Sequence, residues 1–456
     1  MKSKSELLHN LGQIQASETI QKIVQALPNT EIFLVGGSIR ERATHDEPTD
    51  LDLASRLRPE EVIPLLKTAG MRVVETGIEH GTITIVVDEQ NIELTTFRLP
   101  GPRKQSQFSD SIEIDLAGRD FTVNAMAYSL ANSTLLDPYN GLSDLAQGII
   151  RAVNNASDRV SEDPLRILRA IRFGPAQGRT LEDSLLSAIK DKGELLTSVS
   201  VERIQNELNR ILVSPCAGSA LRSLETLGLL PLVLPELVDS VNCEQNEFHI
   251  EDVFSHTLTV VDRAEPELAL RLAAMFHDAG KPETLSVDEQ GRRHFYKHES
   301  ASRQLSEAWM KRLKYSKNMT QQVSTLVELH MRPLDCGPTG VRRIIRDTGE
   351  LFDLWLALKR ADKSPTMSDA DFQEQYNKFL ALVAEERSRP VGSPYAALAV
   401  TGDDLKTLGL KEGVGIGKML ALLQELVLDN PDLNTKERLL REATTLLESA
   451  HPGHEQ

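Results

Sequence analysis

The stretch Phe33–Ser55, FLVGGSIRERATHDEPTDLDLAS, sets an apolar run against Gly36-Gly37 and then places Asp50 and Asp52 on either side of Leu51. An apolar run that ends in glycines reads as a strand entering a tight turn. Arg40 then falls on the first turn of the next helix, where its guanidinium and the helix N-terminus can both face a phosphate. The run carries neither the Gly-Lys-Ser/Thr of a P-loop nor the third glycine of a dinucleotide fold. Side chains alternate along a strand, so Asp50 and Asp52 point to one side of the sheet. Two carboxylates held together can bind divalent cations that bridge a nucleoside triphosphate and an attacking hydroxyl. Glu93, in NIELTTFR, lies in the next strong strand pattern and is the natural third carboxylate. Taken singly, the glycines describe a plain turn and the Asp-x-Asp a solvated one; the two together at this spacing are far more specific.

The rest of the chain sets limits on what such a unit can serve. At 456 residues it is too long for one ordinary core, and two to four domains are expected. Apolar residues make up 40% and charged residues 26%, the balance of a soluble globular protein. No apolar run approaches the length of a membrane span, and MKSKSELLHNLGQ lacks the apolar core of a signal peptide, so a cytoplasmic location is expected. Cys216, Cys243 and Cys336 lie far apart with no CxxC pair, which points to neither a disulfide framework nor a zinc knuckle. A net charge of −16 argues against coating nucleic acid through a bulk basic field, while leaving room for a local basic groove.

Up to about residue 150 the chain mixes short strand patterns (TEIFLVGG, GTITIVVDEQNIELTTFR) with turn signals; beyond it, segments such as ERIQNELNRILV, ELALRLAAMFHDAG and IGKMLALLQELVL place apolar residues at three- and four-residue steps. The fold class expected is α+β, a mixed-sheet head followed by an all-α remainder. Connectors near 230–250, from Asp362, and in RSRPVGSP divide the helical part, and HPGHEQ reads as a frayed tail. The division expected is 1–150, 151–240, 241–365 and 366–456.

GG-x-I-R followed by D-x-D resembles the signature of polymerase-beta-like nucleotidyltransferases, in the form found in class II tRNA nucleotidyltransferases (CCA-adding enzymes) and bacterial poly(A) polymerases. GRDFTVNAMA, Gly118 to Ala127, is similar to that family's RRDFTINAMA, in which Arg119 would meet the nucleotide and Asp120 the ribose. LLDPYNGLSDLAQGIIRAV resembles the hinge between head and neck. SEDPLRILRAIRF, Ser161 to Phe173, is similar to the EDxxR motif, whose acid and arginine bond to the incoming base in place of a template; the matching residues are Asp163 and Arg166. The chemistry agrees: aspartate accepts from the exocyclic amine that C and A share, and arginine donates to the neighbouring ring nitrogen. Arg166, Arg169 and Arg172 form a ridge that could hold triphosphate or RNA backbone, or could be surface arginines paired with Glu162 and Asp163. Arg203 and Glu207, in the next neck motif, read as structural support.

A second constellation lies in the helical middle: His256, the doublet His277-Asp278, His298, His330 and Asp362. An HD doublet at the end of an apolar helix places two groups that are hard to bury where a metal can compensate them. In this order the residues resemble the HD-superfamily metal-dependent phosphohydrolases. The resemblance implies that His256, His277, Asp278 and Asp362 bind a first divalent metal, with His298 and His330 at a second metal or a phosphate. Such a donor set suits Mn, Ni, Fe or Mg. His45, His80 and His294 read as ordinary histidines.

Near the C-terminus, Gly413, Gly415 and Gly417 precede Lys418 and a long amphipathic helix. This is either a tight helix-to-helix turn or an RNA-backbone clamp in which Gly415 and Gly417 bring backbone N–H groups to phosphate and Lys418 adds charge. It resembles the tail with which CCA-adding enzymes grip the tRNA elbow. The chain departs from the family at RERATH (Arg40–His45), at Gly118 in place of the first arginine of RRDFT, and in the short connection between Arg98 and Gly118.

The resemblance implies a Mg2+-dependent enzyme, with Asp50, Asp52 and Glu93 catalytic and Gly36, Gly37, Arg40, Arg119, Asp120, Asp163, Arg166, Arg169 and Arg172 binding nucleotide. It would rebuild the 3′ CCA of tRNA from CTP and ATP, with an HD phosphodiesterase or phosphatase activity. Its partners would be tRNA, CTP and ATP, with no membrane; the oligomeric state is left open. The alternatives are a partial CC-adding or A-adding enzyme, then a poly(A) polymerase, and, from another class, an HD phosphohydrolase with a non-catalytic head.

Overall fold

The computed structural model describes residues 2–44, 51–101, 107–246, 251–364, 366–388 and 397–450. The chain folds as two compact units, Met1–Val238 and Asp239–Gln456.

The first unit is built on a seven-stranded sheet. Its strands are β1 (Ile32–Val35), β2 (Leu51–Ser55), β3 (Arg72–Gly77), β4 (Thr82–Val87), β5 (Gln90–Thr96), β6 (Ala127–Ser129) and β7 (Leu135–Leu136), in the order β3-β4-β5-β2-β1-β6-β7. Only β2 and β5 run parallel; the other neighbours are antiparallel, which makes the sheet mixed as expected. The TITIVV run forms β4 with alternating burial, and Asp88-Glu89 close its hairpin to β5 with φ of 49° and 64°. Two left-handed residues in sequence match the twist of a two-residue hairpin. Phe33, Val35, Ala54, Phe97, Ile112, Leu116 and Ala127 form a core over the strands that carry the first motif.

The GG turn does what the sequence asks of it. Gly36 sits at φ +59°, a conformation that side chains disfavour, and the helix Gly37–Thr44 starts immediately after it. Past the sheet, the unit is helical. Arg166–Phe173 and Val201–Leu212 pack on each other and carry the EDxxR arginines and the next neck motif.

In the second unit the apolar helix Leu268–Phe276 ends at His277, as the HD reading requires. Around it lie Val253–Arg263, His298–Arg312, Lys317–Leu329 and Phe352–Ala361. A short hairpin, Leu285–Val287 with Arg293–Phe295, interrupts the helices. Pro338–Thr348 and Asp369–Ser388 lead to a last cluster, where Val414–Asp429 and Lys436–Ala450 bury Leu423, Val427, Leu439 and Ala443. One expectation is corrected here. The helix begins at Val414, with Gly413 as its cap, so Gly415 and Gly417 stand inside its first turn and not ahead of it. No described helix is long and apolar enough to cross a membrane.

Candidate functional site

Asp52 lies on β2 directly opposite Glu93 of β5 in the parallel register. Paired residues share a face, so both carboxylates project to the same side of the sheet. Asp50 and His45 lie outside the described residues. The Asp52 backbone N–H donates to Ser38 Oγ at 2.7 Å, and Ser38 is fully buried, so the turn fixes the position of the strand. A Cβ at Gly37 would come within 3.3 Å of Asp52 Oδ2, and one at Gly36 within 3.1 Å of Arg119 Nη1 and 3.7 Å of Asp52 Oδ2. The two glycines thus leave a cradle between Asp52 and Arg119 that any side chain would fill. A divalent cation carrying triphosphate oxygens suits this donor set, because Asp52 supplies hard oxygen and the turn supplies clearance.

The arginines predicted to meet nucleotide are held by partners of their own. Arg40 donates to Asn124 Oδ1 and, at 2.9 Å, to Glu41 Oε1, with its guanidinium 4.5 Å from the centre of the Phe173 ring; burial lowers its pKa. It braces the turn more than it extends from it. Arg119 donates through Nε and Nη2 to Asp115 Oδ2 at 3.0 and 2.9 Å. Asp120 accepts from Asn124 Nδ2 at 2.9 Å and from Arg169 Nε at 2.7 Å. Burial opposes ionisation of Asp120, but Arg169 holds its pKa well below the ordinary carboxylate range.

The Arg166 backbone N–H donates to the Asp163 carbonyl at 2.9 Å, but their side chains pair elsewhere. Asp163 accepts from Arg203 Nη2 at 3.0 and 2.7 Å, whereas Arg166 donates to Glu162 at 2.9 Å and to the Gly118 carbonyl at 2.9 Å. Reading a base edge needs an acceptor and a donor side by side, so an incoming base would have to share Asp163 with Arg203 and Arg166 with Glu162. Arg172 donates to Glu207 at 2.7 Å, and burial lowers its pKa to about 10. Arg203 and Glu207 therefore hold, respectively, the acid and the outermost arginine of the motif. A contact over 35 or 40 residues leaves no local signal, though the family resemblance already marked both as supports.

The second unit brings together all six predicted HD residues. His277, His298 and His330 each direct Nδ1 to the carbonyl three residues earlier, Ala274, Phe295 and Val327, at 2.8, 2.8 and 2.7 Å. A proton pinned at Nδ1 leaves a lone pair at Nε2. Those Nε2 atoms converge: His277 lies 3.3 Å from His256 Nε2, and His298 lies 3.2 Å from His330 Nε2. Between His298 and His330, whose Nδ1 protons are both committed, two lone pairs face each other, and a cation or an added proton would relieve that contact. Asp362 Oδ1 stands 3.1 Å from His256 and 3.5 Å from His277.

Among the described residues, two groups are positioned to hold a cation, His256–His277–Asp278 and Asp278–His298–His330. Asp278 belongs to both, with Oδ2 at 3.2 Å from His277 and Oδ1 at 3.2 Å from His298. Burial opposes charging of His277, yet Asp278 and Asp362 hold its pKa up at about 10; the same charge keeps both carboxylates well below their usual range. Lys281 was missed, although it stands three residues beyond Asp278 in HDAGK. It is buried, and its Nζ reaches Asp278 Oδ2 and Gln245 Oε1, both at 2.7 Å.

Gly413 and Gly417 have nothing within 4 Å of where a Cβ would stand, and Val414 is 77% exposed, so the start of the last long helix is an open surface.

Comparison with known proteins matches three stretches to family patterns. Residues 32–151 match the "Poly A polymerase head domain", 178–240 the "Probable RNA and SrmB- binding site of polymerase A", and 253–364 the "HD domain". The chain is 31% identical over 412 residues to an A-adding tRNA nucleotidyltransferase of Deinococcus radiodurans, covering 86% of this chain and 90% of the relative. It is 29% identical over 436 residues to a CCA-adding enzyme of Levilactobacillus brevis, covering 94% and 97%. Among solved structures, the Bacillus stearothermophilus CCA-adding enzyme in complex with CTP has a TM-score of 0.70 at 22% identity, over 95% of this chain and all of that one. With a full-length relative at this identity, the chain belongs to the tRNA nucleotidyltransferase family.

Proposed function

We propose that this protein rebuilds the 3′-terminal CCA of tRNA from CTP and ATP without a nucleic-acid template, in the cytoplasm. The observation that carries the reading is the Asp52–Glu93 register beside the glycine cradle, which faces Arg119 across the turn. The four parts it implies are a head (1–150), a neck (151–240), an HD body (241–365) and a tail (366–456). Asp50, Asp52 and Glu93 would hold Mg2+, which supplies charge neutralisation on the triphosphate and acidifies the attacking hydroxyl. Gly36 and Gly37 let backbone approach the phosphates, Arg119 meets the nucleotide, and Asp120, locked by Arg169, positions the ribose. Asp163 accepts from the exocyclic amine common to C and A, and Arg166 donates beside it. Uracil and guanine, with a carbonyl where that amine stands, meet an acceptor with an acceptor.

In the second unit, His256, His277, Asp278 and Asp362, with His298 and His330 beside them, would hold one or two divalent transition metals or Mg2+. The metal would polarise a phosphoryl group and supply activated water, giving a phosphodiesterase or phosphatase. At the tail, Gly415, Gly417 and Lys418 would contact the tRNA backbone.

A second reading is favoured by one observation: the relative that shows the family is an A-adding enzyme. One incubation separates the two. With tRNA ending before CCA, after C or after CC, and labelled CTP or ATP, full completion of all three supports CCA addition. Incorporation of A on CC ends alone establishes the A-adding reading.

A further inference from the structure

The helix Val414–Asp429 ends against a set of arginines from Pro338–Thr348. Arg342 donates through Nε to the Leu428 carbonyl at 2.6 Å and through Nη2 to the Asp429 carbonyl at 3.2 Å. These are among the last carbonyls of the long helix, which lack partners inside it and lie at its negative end. The same guanidinium pairs with Glu386 at 2.9 Å and reaches Thr339 Oγ1 at 3.0 Å. Arg342 is 4% exposed and Glu386 fully buried, so this cation is committed to three helices at once. A buried pair of this kind contributes to the choice of one geometry more dependably than to net stability. Arg343 adds bonds to Glu425 at 3.2 Å and Asp429 at 3.0 Å, and Arg346 pairs with the other Glu425 oxygen.

The helix so held is a rod of 16 residues, about 24 Å long at 1.5 Å per residue. Its clamped end is the C-terminus. At its opposite end, Gly415 and Gly417 stand in the first turn, where helix propensity favours other residues. Neither sits at positive φ, and around Gly417 no packing excludes a side chain. The clamping helix itself packs on Lys317–Leu329 and Phe352–Ala361, which lead directly into His330 and Asp362.

We propose that Arg342, Arg343 and Arg346 are positioning residues for RNA: by clamping the far end of the rod to the HD body, they set where its glycine end meets the part of tRNA beyond the acceptor arm. The inference rests on the reading of Gly415, Gly417 and Lys418 as a tRNA contact. It predicts an effect that depends on substrate length and leaves chemistry alone.

The test uses the full chain with two substrates, a tRNA ending in CC and a minihelix holding only its acceptor arm. Glu425→Arg, at a half-exposed position, sets like charges against Arg343 and Arg346. It is expected to raise KM for tRNA about tenfold while leaving kcat, and KM for the minihelix, unchanged. The charge swap Arg346→Glu with Glu425→Arg is expected to recover most of the loss, and Arg342→Met to exceed it if the protein still folds. An equal change for both substrates, or no change for tRNA, overturns the proposal. Lys418→Glu separates the two layers. If it raises KM for tRNA and Glu425→Arg does not, the clamp fails and the tail contact stands; if it has no effect, both fail.

Discussion

The two acidic centres of this chain use carboxylates in opposite surroundings. In the head, Glu93 is exposed and Asp52 half-buried, and the nearest aids are a glycine turn and arginines already braced by Glu41 and Asp115. In the HD body, Asp278 is 2% exposed among buried imidazoles, of which His277, His298 and His330 are oriented by backbone carbonyls. An open centre admits a large, highly charged nucleotide and leaves room for a second reactant. A closed one leaves little room beyond the side chains that line it. The difference teaches that a shared preference for divalent ions says little about what each centre can accept; the shell around the carboxylates decides it.

The sharpest way to break this comparison is to silence one centre at a time. Asp52→Asn is expected to lower nucleotide incorporation on the order of 10^3-fold, measured with labelled CTP and ATP, while hydrolysis of a phosphodiester substrate is unchanged. Asp278→Asn is expected to do the reverse. Because it also strips Lys281 and His277 of their counter-ion, it should lower the stability of the metal-free protein by ~3 kcal/mol, read from denaturant unfolding. If both substitutions depress both activities, the centres are not independent.

Finer changes sharpen the contrast. Glu207→Gln weakens the hold on Arg172 and Arg169 without emptying the neck core, and KM for both nucleotides should rise about fivefold with little change in kcat. The smallest effect is a proton count. In the metal-free protein His277 keeps its proton up to about pH 10, whereas a metal needs it neutral. Metal binding at pH 8 should therefore release about one proton, seen as a buffer-dependent heat, and affinity should increase as pH rises toward 10. A heat independent of buffer would remove His277 from the ligand set.

Much of this was legible in the chain because the decisive signals are local. The GG turn, the strand patterns that carry Asp52 and Glu93, and the histidines that end or begin helices all follow from neighbours in sequence. What escaped depends on distance along the chain. No periodicity reveals that β2 pairs with β5 in parallel, that Arg203 holds Asp163, or that Ser38 takes the Asp52 N–H, since these partners meet only once the sheet and neck are assembled. The start of the last long helix was misplaced for a different reason: two glycines in its first turn contradict helix propensity, and only the fold around Ile416 and Met419 overrides them. Lys281 was readable from its three-residue step past Asp278, but a lysine beside a ligand reads as solvated until its burial is seen.

Lys281 also bears on how the HD cluster would take up a cation. Its ammonium pairs with the Asp278 oxygen that faces His256 and His277, so an incoming ion would meet a carboxylate that already has a counter-charge. An ion bound there would have to outcompete a tethered amine for that oxygen.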